Sequence, residues 1–567
     1  MATPMDKHYD FVIVGSGAGS LCAALVMRAA GKRVLVLEKT GLVGGTTAMS
    51  GGVMWIPVNR FLASDGITDS PEQAATYLDH VVGDHDDTPG ASRARRASYV
   101  EQAPAMIDFL SDRGIRLRRV PVWPDYCDAP GALAQGRTVV SELFDINQLG
   151  EWKDRLRPGF LPLPAYLEEA MQLPDMKRSW SSRKVLARVI GRTIASRLKG
   201  KRLVTAGQAL QGQLLHAALQ AGVEVCTGAA VSELLVQGGR VSGVAVTING
   251  ARQDISAAHG VLLNAGGFSR NQAMRDQYQP GTSTEWTLTA EGDTGEIIGE
   301  AMRLGAVVAQ MEERVGNPVA FPPDKQPPEP VVVHGDLAKP HSLLVDQGGT
   351  RYLCEADSYV NISRGILQRN QVAPASPSWL VLDSRFLATY PLAGNLRGSK
   401  KPASWIDNNF LRRGDSIEEL ARACDMPPDA LRATVDRFNS MVERGRDEDF
   451  HRGENVYQRW LGDGLLPEGS QTLGTVEQGP FYAIPVYPGD VSTFGGLVTD
   501  SGARVLRQDG SAIEGLYATG TSTASVMGRG CPGAGASIGP ALTWAYVAAN
   551  TALASASGKS EQTSTAM

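Results

Sequence analysis

The stretch from residue 9 to residue 38 constrains the fold more than any other part of this chain. It opens with an apolar, β-branched run (FVIVG), as expected of a strand that is buried on both faces. A glycine-rich turn (GSGAGS) follows, and then a helix-forming run that Gly31 would end. Residues 34–37 predict a second strand, with Glu38 at its end. This order of strand, glycine turn, helix and strand is typical of the first unit of a dinucleotide-binding α/β domain.

The glycine positions in this turn have a mechanical reason. Gly15 permits the tight turn, and Gly17 lets the main chain approach a pyrophosphate, which the free N–H groups of the following helix can bind. Glu38, about 20 residues further on, can accept hydrogen bonds from the ribose hydroxyls of an adenosine. The last position of the pattern is Ser20 rather than Gly or Ala. The segment therefore predicts a Rossmann-type dinucleotide site with one departure from the usual pattern.

A second glycine-rich loop indicates which dinucleotide binds. Residues 44–52 (GGTTAMSGG) are small or carry hydroxyl groups, and they come only a few residues after Glu38. A nicotinamide-binding domain would continue into another helix at this point. A loop with so little side-chain bulk suits close main-chain contact with an isoalloxazine ring and its ribityl chain. The sequence therefore predicts FAD rather than NAD.

Later segments return to the same predicted site. Residues 261–268 and residues 514–520 each read as a buried strand that ends in glycine, and residues 535–541 open a helix with Pro540 in its first turn. N–H groups at that helix start can face the flavin. The residues predicted to contact the cofactor are Gly15, Ser16, Gly17, Ala18, Gly19, Glu38, Lys39, Thr46, Thr47, Ala48, Ser50, Gly51, Gly52, Val231, Ala265, Gly266, Asp293, Gly520, Ser537 and Ile538.

Composition bounds the class of protein. At 567 residues the chain exceeds what one core usually organises, so we expect more than one domain. A net charge of −5 gives no global attraction to nucleic acid. The six cysteines are scattered without a CxxC pair, which indicates neither a disulfide framework nor a zinc site. We expect a cytoplasmic protein without a metal, because cysteine usage fits a reducing compartment and no signal-peptide core precedes the first strand.

Two segments depart from this average. Residues 177–202 carry many Lys and Arg and no acidic residue. We expect them to form a solvated helix face, with weak contact to an anionic membrane surface or a partner as the alternative. Residues 557–567 are small and polar, and we expect a disordered tail there.

Taken together, these blocks resemble the fumarate reductase and ketosteroid dehydrogenase superfamily of flavoproteins, and within it the 3-ketosteroid Δ1-dehydrogenases. The resemblance is carried by GSGAGS with Glu38, by GGTTAMSGGVMWIP and by the closing GLYATGTSTASVMGRGCPGAGASIGPALTWAYVAA. It recurs in the middle of the chain at RYLCEADSYVNISRG. Relatives that bind flavin covalently carry a histidine in the early loop, where this chain has threonines. The resemblance therefore implies FAD that is bound non-covalently.

The resemblance also implies an α/β fold, in which a discontinuous Rossmann-type FAD-binding domain carries an inserted α+β catalytic domain. We expect the FAD-binding domain at residues 1–319 and 491–556, and the catalytic or substrate domain at residues 320–490. The inserted segment is rich in Pro and Trp and lacks a glycine turn, which supports this division. A helical stretch near residues 415–445 is expected to belong to it.

Members of this family remove two hydrogens from adjacent carbons of a cyclic ketone. A base takes the α-proton, flavin N5 takes hydride from the β-carbon, and donors stabilise the developing enolate. By resemblance, Tyr359 is the base, Tyr126 supports it, and the main-chain N–H of Gly535 binds the ketone oxygen. A tyrosine with its ordinary pKa of about 10 is a poor base at neutral pH. Tyr359 therefore requires a lowered pKa or a second group that relays its proton.

One residue departs from the family pattern at this site. The family has Tyr-Pro-Gly-x-Gly, with the tyrosine hydroxyl as the second donor to the ketone oxygen, and this chain has Cys531 at that position. A thiol is a weaker and shorter donor, and the loss of one such donor costs on the order of 3 kcal/mol in a transition state. Either another hydroxyl enters, with Tyr487 as the candidate, or the substrate differs.

The sequence thus predicts an FAD-dependent desaturase of a cyclic ketone. A 3-ketosteroid is the leading substrate, and a smaller ring such as a cyclohexanone or an oxocyclohexanecarboxylate is the alternative. An unidentified electron acceptor is expected as a partner, and nucleic acid is not. Two other hypotheses stay open, namely an ene reductase that runs the reaction backwards and a flavin-binding protein without chemistry.

Overall fold

The largest element of the protein is an eight-stranded sheet, which we call the central sheet. The computed structural model describes residues 7–83, 88–325, 328–395 and 401–564, with side chains as far as residue 556. The strands of the sheet follow the order Arg504–Leu506, Ala512–Ala518, Ala251–Leu263, His8–Val14, Val34–Glu38 and Glu224–Thr227. Two further strands, Arg240–Ile248 and Ala229–Gln237, extend antiparallel from Ala251–Leu263.

The first elements of this sheet have the predicted order. His8–Val14 pairs parallel with both of its neighbours, which buries its apolar side chains on both faces. The helix Ala18–Ala29 follows the glycine turn, and Gly31 adopts a φ of +74°, a left-handed conformation that ends a helix. The helices Ala206–Gln220 and Ile538–Ser564 pack against Ala18–Ala29. The predicted Rossmann-type α/β fold is confirmed.

Between Val34–Glu38 and the helix Ala206–Gln220, the chain leaves the central sheet and builds a separate layer, which we call the second layer. The sequence did not predict it. Its strands are only two to four residues long, which is too short for a period-two pattern to be recognised. The strands are Val53–Trp55, Leu117–Arg119, Thr138–Ser141, Phe144–Asp145 and Leu203–Val204. The helices are Gly45–Met49, Arg60–Ser64, Pro71–Val82, Arg93–Asp112, Leu167–Gln172 and Trp180–Leu198, with 3-10 turns at Ile146–Asp154 and Leu173–Asp175.

The segment predicted as the inserted part contains a four-stranded antiparallel sheet, which we call the cap sheet. Its strands follow the order Ser342–Val345, Ser378–Leu382, Phe481–Val486 and Arg412–Gly414. Its helices are His334–Leu337, Tyr359–Asn370, Ser384–Thr389, Ala403–Asp407, Ile417–Ala423, Pro428–Glu443 and Val456–Leu461. The predicted helical stretch near residues 415–445 is thus two helices, because Pro427 and Pro428 favour a new helix start there.

Paired strands carry the chain between the two sheets. Arg314–Gly316 leads away from the central sheet and Asp490–Thr493 leads back, and the two pair antiparallel. Two more short pairs flank them, and the remaining helical segments lie beside the central sheet. These pairs are Val308–Ala309 with Gly496–Leu497 and Val319–Ala320 with Val331–Val332, and the helical segments are Gln272–Tyr278, Thr284–Trp286, Glu296–Arg303 and Gly520–Ser522.

The predicted domain limits at residues 319–320 and 490–491 stay a prediction, as does the disordered tail at residues 557–567. The side chains of that tail, and the main chain of residues 565–567, lie outside the described part. Within the described residues, no helix combines the length and the apolar character needed to cross a bilayer.

Four buried charged side chains hold the segment that leads to Tyr359. Arg351 pairs with Glu355 at 2.8 Å and with Asp447 at 2.6 Å, and Arg452 pairs with Glu355 at 3.1 Å. Each side chain is at most 4% exposed, so two positive and two negative charges compensate one another away from water. Because Glu355 lies four residues before Tyr359, in the turn that leads into the helix Tyr359–Asn370, this network holds the segment that carries the catalytic candidate.

The substitution Arg452→Met is expected to destabilise the protein, because it leaves the carboxylates of Glu355 and Asp447 with one buried cation. Removal of one partner from a buried ion pair typically costs about 3 to 5 kcal/mol. The midpoint of thermal unfolding, followed by circular dichroism, should therefore fall. Arg437→Met is the control, since Arg437 pairs only with surface carboxylates, and such pairs contribute little. Equal midpoints for Arg452→Met and the parent would contradict this account.

Candidate active site

A long cavity lies where the first strand, the first helix and the last helix of the central sheet meet. Together with its opening to solvent, it holds about 1430 Å³ of space that protein atoms do not fill. Most of the predicted cofactor contacts line it, and they come from both ends of the chain. These residues are Gly15, Ser16, Gly17, Ala18, Gly19, Glu38, Lys39, Thr46, Thr47, Ser50, Val231, Ala265, Gly266, Asp293, Gly520, Ser537 and Ile538.

Three predicted contacts lie behind the cavity wall instead. Ala48 is fully buried. A Cβ at Gly51 would contact Leu167 at 3.5 Å, and a Cβ at Gly52 would stand 2.5 Å from the main-chain nitrogen of Gly207. These small residues therefore let the second glycine-rich loop pack against the start of the helix Ala206–Gln220.

Close approach of main-chain segments explains the glycines of the first turn. Gly15 has a φ of +95°, and a Cβ there would stand 2.2 Å from the carbonyl oxygen of Asn264. A Cβ at Gly19 would stand 2.7 Å from the carbonyl oxygen of Ala541, so Gly19 brings the first and last helices together. Ser20, the departure from the usual pattern, accepts a 2.9 Å hydrogen bond from Asn264 Nδ2. The serine is therefore accommodated because Gly19 makes the close helix contact.

Hydrogen bonds join the two glycine-rich loops around the cavity. Ser16 donates to the carboxylate of Glu38 and accepts a 2.9 Å bond from the main-chain N–H of Gly44. Thr46 accepts a 3.0 Å bond from the main-chain N–H of Ala290. The loops are thus held in place before any ligand enters.

Charged side chains lie along the same wall, and two of them, Glu296 and Arg157, were not predicted. Lys39 pairs with Glu296 at 2.8 Å. Asp293 is buried, and burial raises its pKa to about 6. Arg157, from the second layer, lines the cavity and donates to Thr40 at 3.1 Å. No motif marks Arg157 in the sequence. A guanidinium, glycine main chain and a helix start are donors that suit a pyrophosphate, so the cavity fits FAD.

Five side chains form a group that we call the tyrosine cluster: Tyr126, Tyr359, Tyr457, Cys531 and His334. The rings of Tyr126 and Tyr359 meet edge-on with centroids 5.8 Å apart, and Tyr457 packs on Tyr126 at 4.1 Å. The thiol of Cys531 donates to the hydroxyl of Tyr359 at 3.9 Å. The ring of His334 meets that of Tyr359 at 5.4 Å. The fold therefore brings together three predicted catalytic residues that are distant in sequence.

The closing motif connects the tyrosine cluster with the cofactor cavity. Cys531 belongs to the cluster, and Ser537 and Ile538, six and seven residues further along the chain, line the cavity. The main-chain N–H of Tyr126 donates to the carbonyl oxygen of the residue after Cys531 at 3.0 Å. This bond ties the second layer to the closing motif.

Burial keeps the tyrosine cluster neutral. It raises the pKa of Tyr359 well above the usual value, and nearby Cys531, Tyr126 and Tyr457 raise that pKa further. Burial also raises the pKa of Tyr126 and Tyr457, and it raises the pKa of the Cys531 thiol to about 12. The pKa of His334 is lowered to about 4, because burial disfavours its charged form. The lowered pKa that would favour Tyr359 as a base is not found, and its role as the base stays a prediction.

Sequence reasoning missed two members of this cluster. Tyr457 and His334 stand in runs (ENVYQRW and VVVHGDL) that match no motif, so nothing in the sequence marked them. His334 Nε2 lies 3.0 Å from the carbonyl oxygen of Asp357, two residues before Tyr359. A neutral imidazole that donates this bond leaves Nδ1 as an acceptor.

Two predicted residues lie outside the cluster. Gly535 has a φ of +97°, and a Cβ there would stand 2.5 Å from the main chain of Met54, so only glycine fits. The role of its N–H toward a ketone stays a prediction. Tyr487 packs on Trp286 and Phe321, with ring centroids 5.5 and 5.4 Å away. Among the described residues, no hydrogen bond or ring contact joins Tyr487 to Cys531, and the role of Tyr487 as the replacement donor stays a prediction.

Comparison with known proteins agrees with this geometry. The family described as FAD binding domain matches residues 10–538. The 3-oxosteroid 1-dehydrogenase of Mycolicibacterium smegmatis is 36% identical over 560 residues, which cover 96% of this chain and 97% of the relative. The 4-oxocyclohexanecarboxylate 2-dehydrogenase of Sinomonas cyclohexanicum is 33% identical over 568 residues, which cover 97% of this chain and 94% of the relative.

A solved structure is also similar over nearly the whole chain. The crystal structure of 3-ketosteroid Δ1-dehydrogenase from Sterolibacterium denitrificans, in complex with 1,4-androstadiene-3,17-dione, superposes with a TM-score of 0.89. It is 33% identical and covers 97% of this chain and 100% of its own. These findings confirm the predicted cofactor, FAD, and the predicted resemblance. The chain belongs to the FAD-binding-domain family of flavoproteins, together with the 3-oxosteroid 1-dehydrogenases.

Proposed function

We propose that this protein is an FAD-dependent dehydrogenase that introduces a carbon–carbon double bond beside the ketone of a 3-ketosteroid. The observation that carries the proposal is the tyrosine cluster, in which Tyr359 lies against Tyr126 and against Cys531 of the closing motif, whose residues Ser537 and Ile538 line the FAD cavity. A proton-abstracting group and a redox cofactor side by side are what such a desaturation requires. The names and coverage of the relatives support the same reaction.

The side chains divide the work of the reaction. When bound, FAD supplies a hydride acceptor at N5 of its ring. Tyr359 takes the α-proton, and the main-chain N–H of Gly535 donates to the ketone oxygen, which stabilises the developing enolate. The apolar faces of Tyr126 and Tyr457 exclude water from this step. Because the pKa of Tyr359 is raised, Tyr359 gives up its own proton as the α-proton arrives. The hydroxyl of Tyr126 or Tyr457 accepts that proton and releases its own toward solvent, so each tyrosine stays neutral.

A smaller cyclic ketone is the second candidate substrate. Cys531 stands where the family has a tyrosine, so one strong donor to the ketone oxygen is missing. The relative from Sinomonas cyclohexanicum, named for a cyclohexane ring, is nearly as similar as those named for steroids.

The electron acceptor that reoxidises the flavin is outside the protein. The cytoplasmic location is also a proposal, which all six cysteines support by being unpaired.

The test of the proposed function is anaerobic. Purified holoprotein is mixed with 4-androstene-3,17-dione or with 4-oxocyclohexanecarboxylate, and flavin absorbance is followed near its visible maximum. Bleaching by the steroid supports the leading proposal, and bleaching by the carboxylate alone supports the smaller ring. Reoxidation of reduced flavin by 1,4-androstadiene-3,17-dione, without bleaching of oxidised flavin by either test ketone, would indicate an ene reductase. No response to any of these compounds would indicate a flavin-binding protein without chemistry.

Tyr359→Phe is expected to slow flavin bleaching at least about a hundredfold, because general base catalysis typically contributes that much. Flavin content should be unchanged, since Tyr359 does not line the cofactor cavity. Tyr482→Phe, a partly buried tyrosine of the cap sheet, is the matched control and should bleach at the parent rate. Turnover of Tyr359→Phe at the parent rate would show that another group is the base.

The pH dependence of bleaching follows from the raised pKa of Tyr359. Below that pKa, the phenolate fraction increases about tenfold per pH unit. The bleaching rate should therefore rise with pH across the neutral and mildly alkaline range, without a plateau below the ordinary tyrosine pKa of about 10. Stopped-flow measurement at several pH values tests this, and a profile that is flat from neutral pH upward would contradict it.

FAD is expected to be released when the protein is denatured. Among the described residues that line the cavity there is no His, Cys or Tyr, the side chains that bond covalently to flavin. Acid precipitation followed by centrifugation should therefore leave the flavin in the supernatant. A yellow pellet would contradict non-covalent binding.

A further inference from the structure

The helix Trp180–Leu198, which we call the basic helix, has an apolar side that packs on the protein and another that faces solvent. Val185 and Val189 are buried against Ala165 and form the inner side. With about 3.6 residues per turn, the opposite side presents an exposed apolar stripe. Its members are Trp180, Ala187, Ile190, Gly191, Ile194 and Leu198.

The large side chains of the stripe are more exposed to solvent than apolar side chains of this size normally are. Trp180 is 75% exposed, Ile194 is 55% exposed and Leu198 is 83% exposed. Single exposed apolar residues need no explanation, but a row along a five-turn helix, interrupted by Arg183 and Lys184 after Trp180, marks an interaction surface. The preceding loop adds Phe160 and Leu163, both exposed, and it is held to the basic helix by a 2.8 Å bond from Arg192 to the carbonyl oxygen of Pro164.

Positive charge flanks the stripe on both sides. Residues 177–202 contain ten basic residues and no acidic one, whereas the whole chain has a net charge of −5. Arg178, Arg188 and Arg192 pair with carboxylates of the protein. Within the described part of the chain, no ion pair engages the other seven. Those seven are Lys177, Arg183, Lys184, Arg197, Lys199, Lys201 and Arg202, all exposed.

We propose that the basic helix docks on an anionic lipid surface, with its apolar stripe in the boundary between headgroups and acyl chains. Trp, Ile and Leu on one side with Lys and Arg at the flanks is the pattern of helices that lie in a membrane interface. The charges select lipid phosphate and carboxylate groups. Nucleic acid would pair with the positive charges, but it would leave the apolar stripe without a partner. A second copy of this net-negative chain could bind here only through a surface that is both acidic and apolar.

The basic helix lies close to the tyrosine cluster, so docking on lipid would bring a lipid-dissolved substrate near that cluster. This step rests on the proposed function. Arg178, just before the helix, pairs with Asp463. Three residues before Asp463, Trp460 packs on Tyr457 of the tyrosine cluster, with ring centroids 5.9 Å apart. An apolar ketone dissolved in the lipid would thus meet the protein close to the side chains that act on it.

Co-sedimentation of the holoprotein with vesicles tests the docking without any ketone. The vesicles are phosphatidylcholine alone or phosphatidylcholine with phosphatidylserine. The parent should pellet with the serine-containing vesicles and be released by salt, because screening weakens the attraction. Failure to pellet would overturn the proposal whatever the enzyme assay shows, and loss of bleaching with normal pelleting would overturn only the proposed function.

Paired variants assign the effect to the two parts of the surface. Trp180→Ser with Leu198→Ser should lower the partition coefficient about tenfold or more, because apolar area no longer enters the lipid. The triple variant K184Q/R197Q/K199Q should lower it roughly a hundredfold, at about fivefold per charge. Flavin content and bleaching by a water-soluble ketone should stay at the parent level in both.

Matched controls change the same chemistry elsewhere on the surface. Val372→Ser removes another exposed apolar side chain, and R437Q/R444Q/R446Q removes three exposed charges from the inserted part. Both should pellet like the parent. The proposal fails if the controls lose binding as much as the basic-helix variants. It also fails if the basic-helix variants change only the mass in size-exclusion chromatography, which would indicate a second copy as the occupant.

Discussion

The cofactor cavity depends on direct contact between main-chain segments, with no side chain between them. At Gly15 the first strand turns against Asn264, and at Gly19 the first helix lies against the last helix at Ala541. A methyl group at either position would push these segments apart. The two ends of the chain therefore form one wall of one cavity, and the cap sheet and the second layer are positioned relative to that wall.

Large side chains form the tyrosine cluster, whereas main-chain contacts at glycines form the cofactor cavity. The side chains of the cluster are closely packed and neutral. Its members come from the second layer, the inserted segment and the closing motif, and burial disfavours charge on each of them. In such a site burial disfavours a phenolate, because it raises the pKa of Tyr359 and of Tyr457. The neighbouring network of Arg351, Arg452, Glu355 and Asp447 keeps its own charges compensated, so it adds little net field to the cluster.

Cys531 departs from the pattern that the family resemblance implies, whereas the main chain around it keeps its contacts. The turn that carries it keeps its glycines, and the main chain beside it is still bound by Tyr126 and by Tyr77, whose hydroxyl donates to Pro532 at 2.6 Å. Only the side chain that faces Tyr359 is smaller and a weaker donor. A different side chain at this position is therefore compatible with an unchanged main chain in the closing turn.

The sequence by itself determined the dinucleotide-binding unit, the choice of FAD and, through resemblance, the catalytic candidates Tyr359 and Tyr126. Strand, turn and helix preferences are properties of neighbouring residues, so they can be recognised locally. The tertiary structure alone decided that Arg157 lines the cavity, that Tyr457 and His334 join the cluster, and that Tyr487 does not. It also decided which side of the basic helix faces outward. These outcomes depend on contacts between segments that are far apart in the chain. Such contacts cannot be recognised from the local sequence, least of all in strands that are too short to show a periodic pattern.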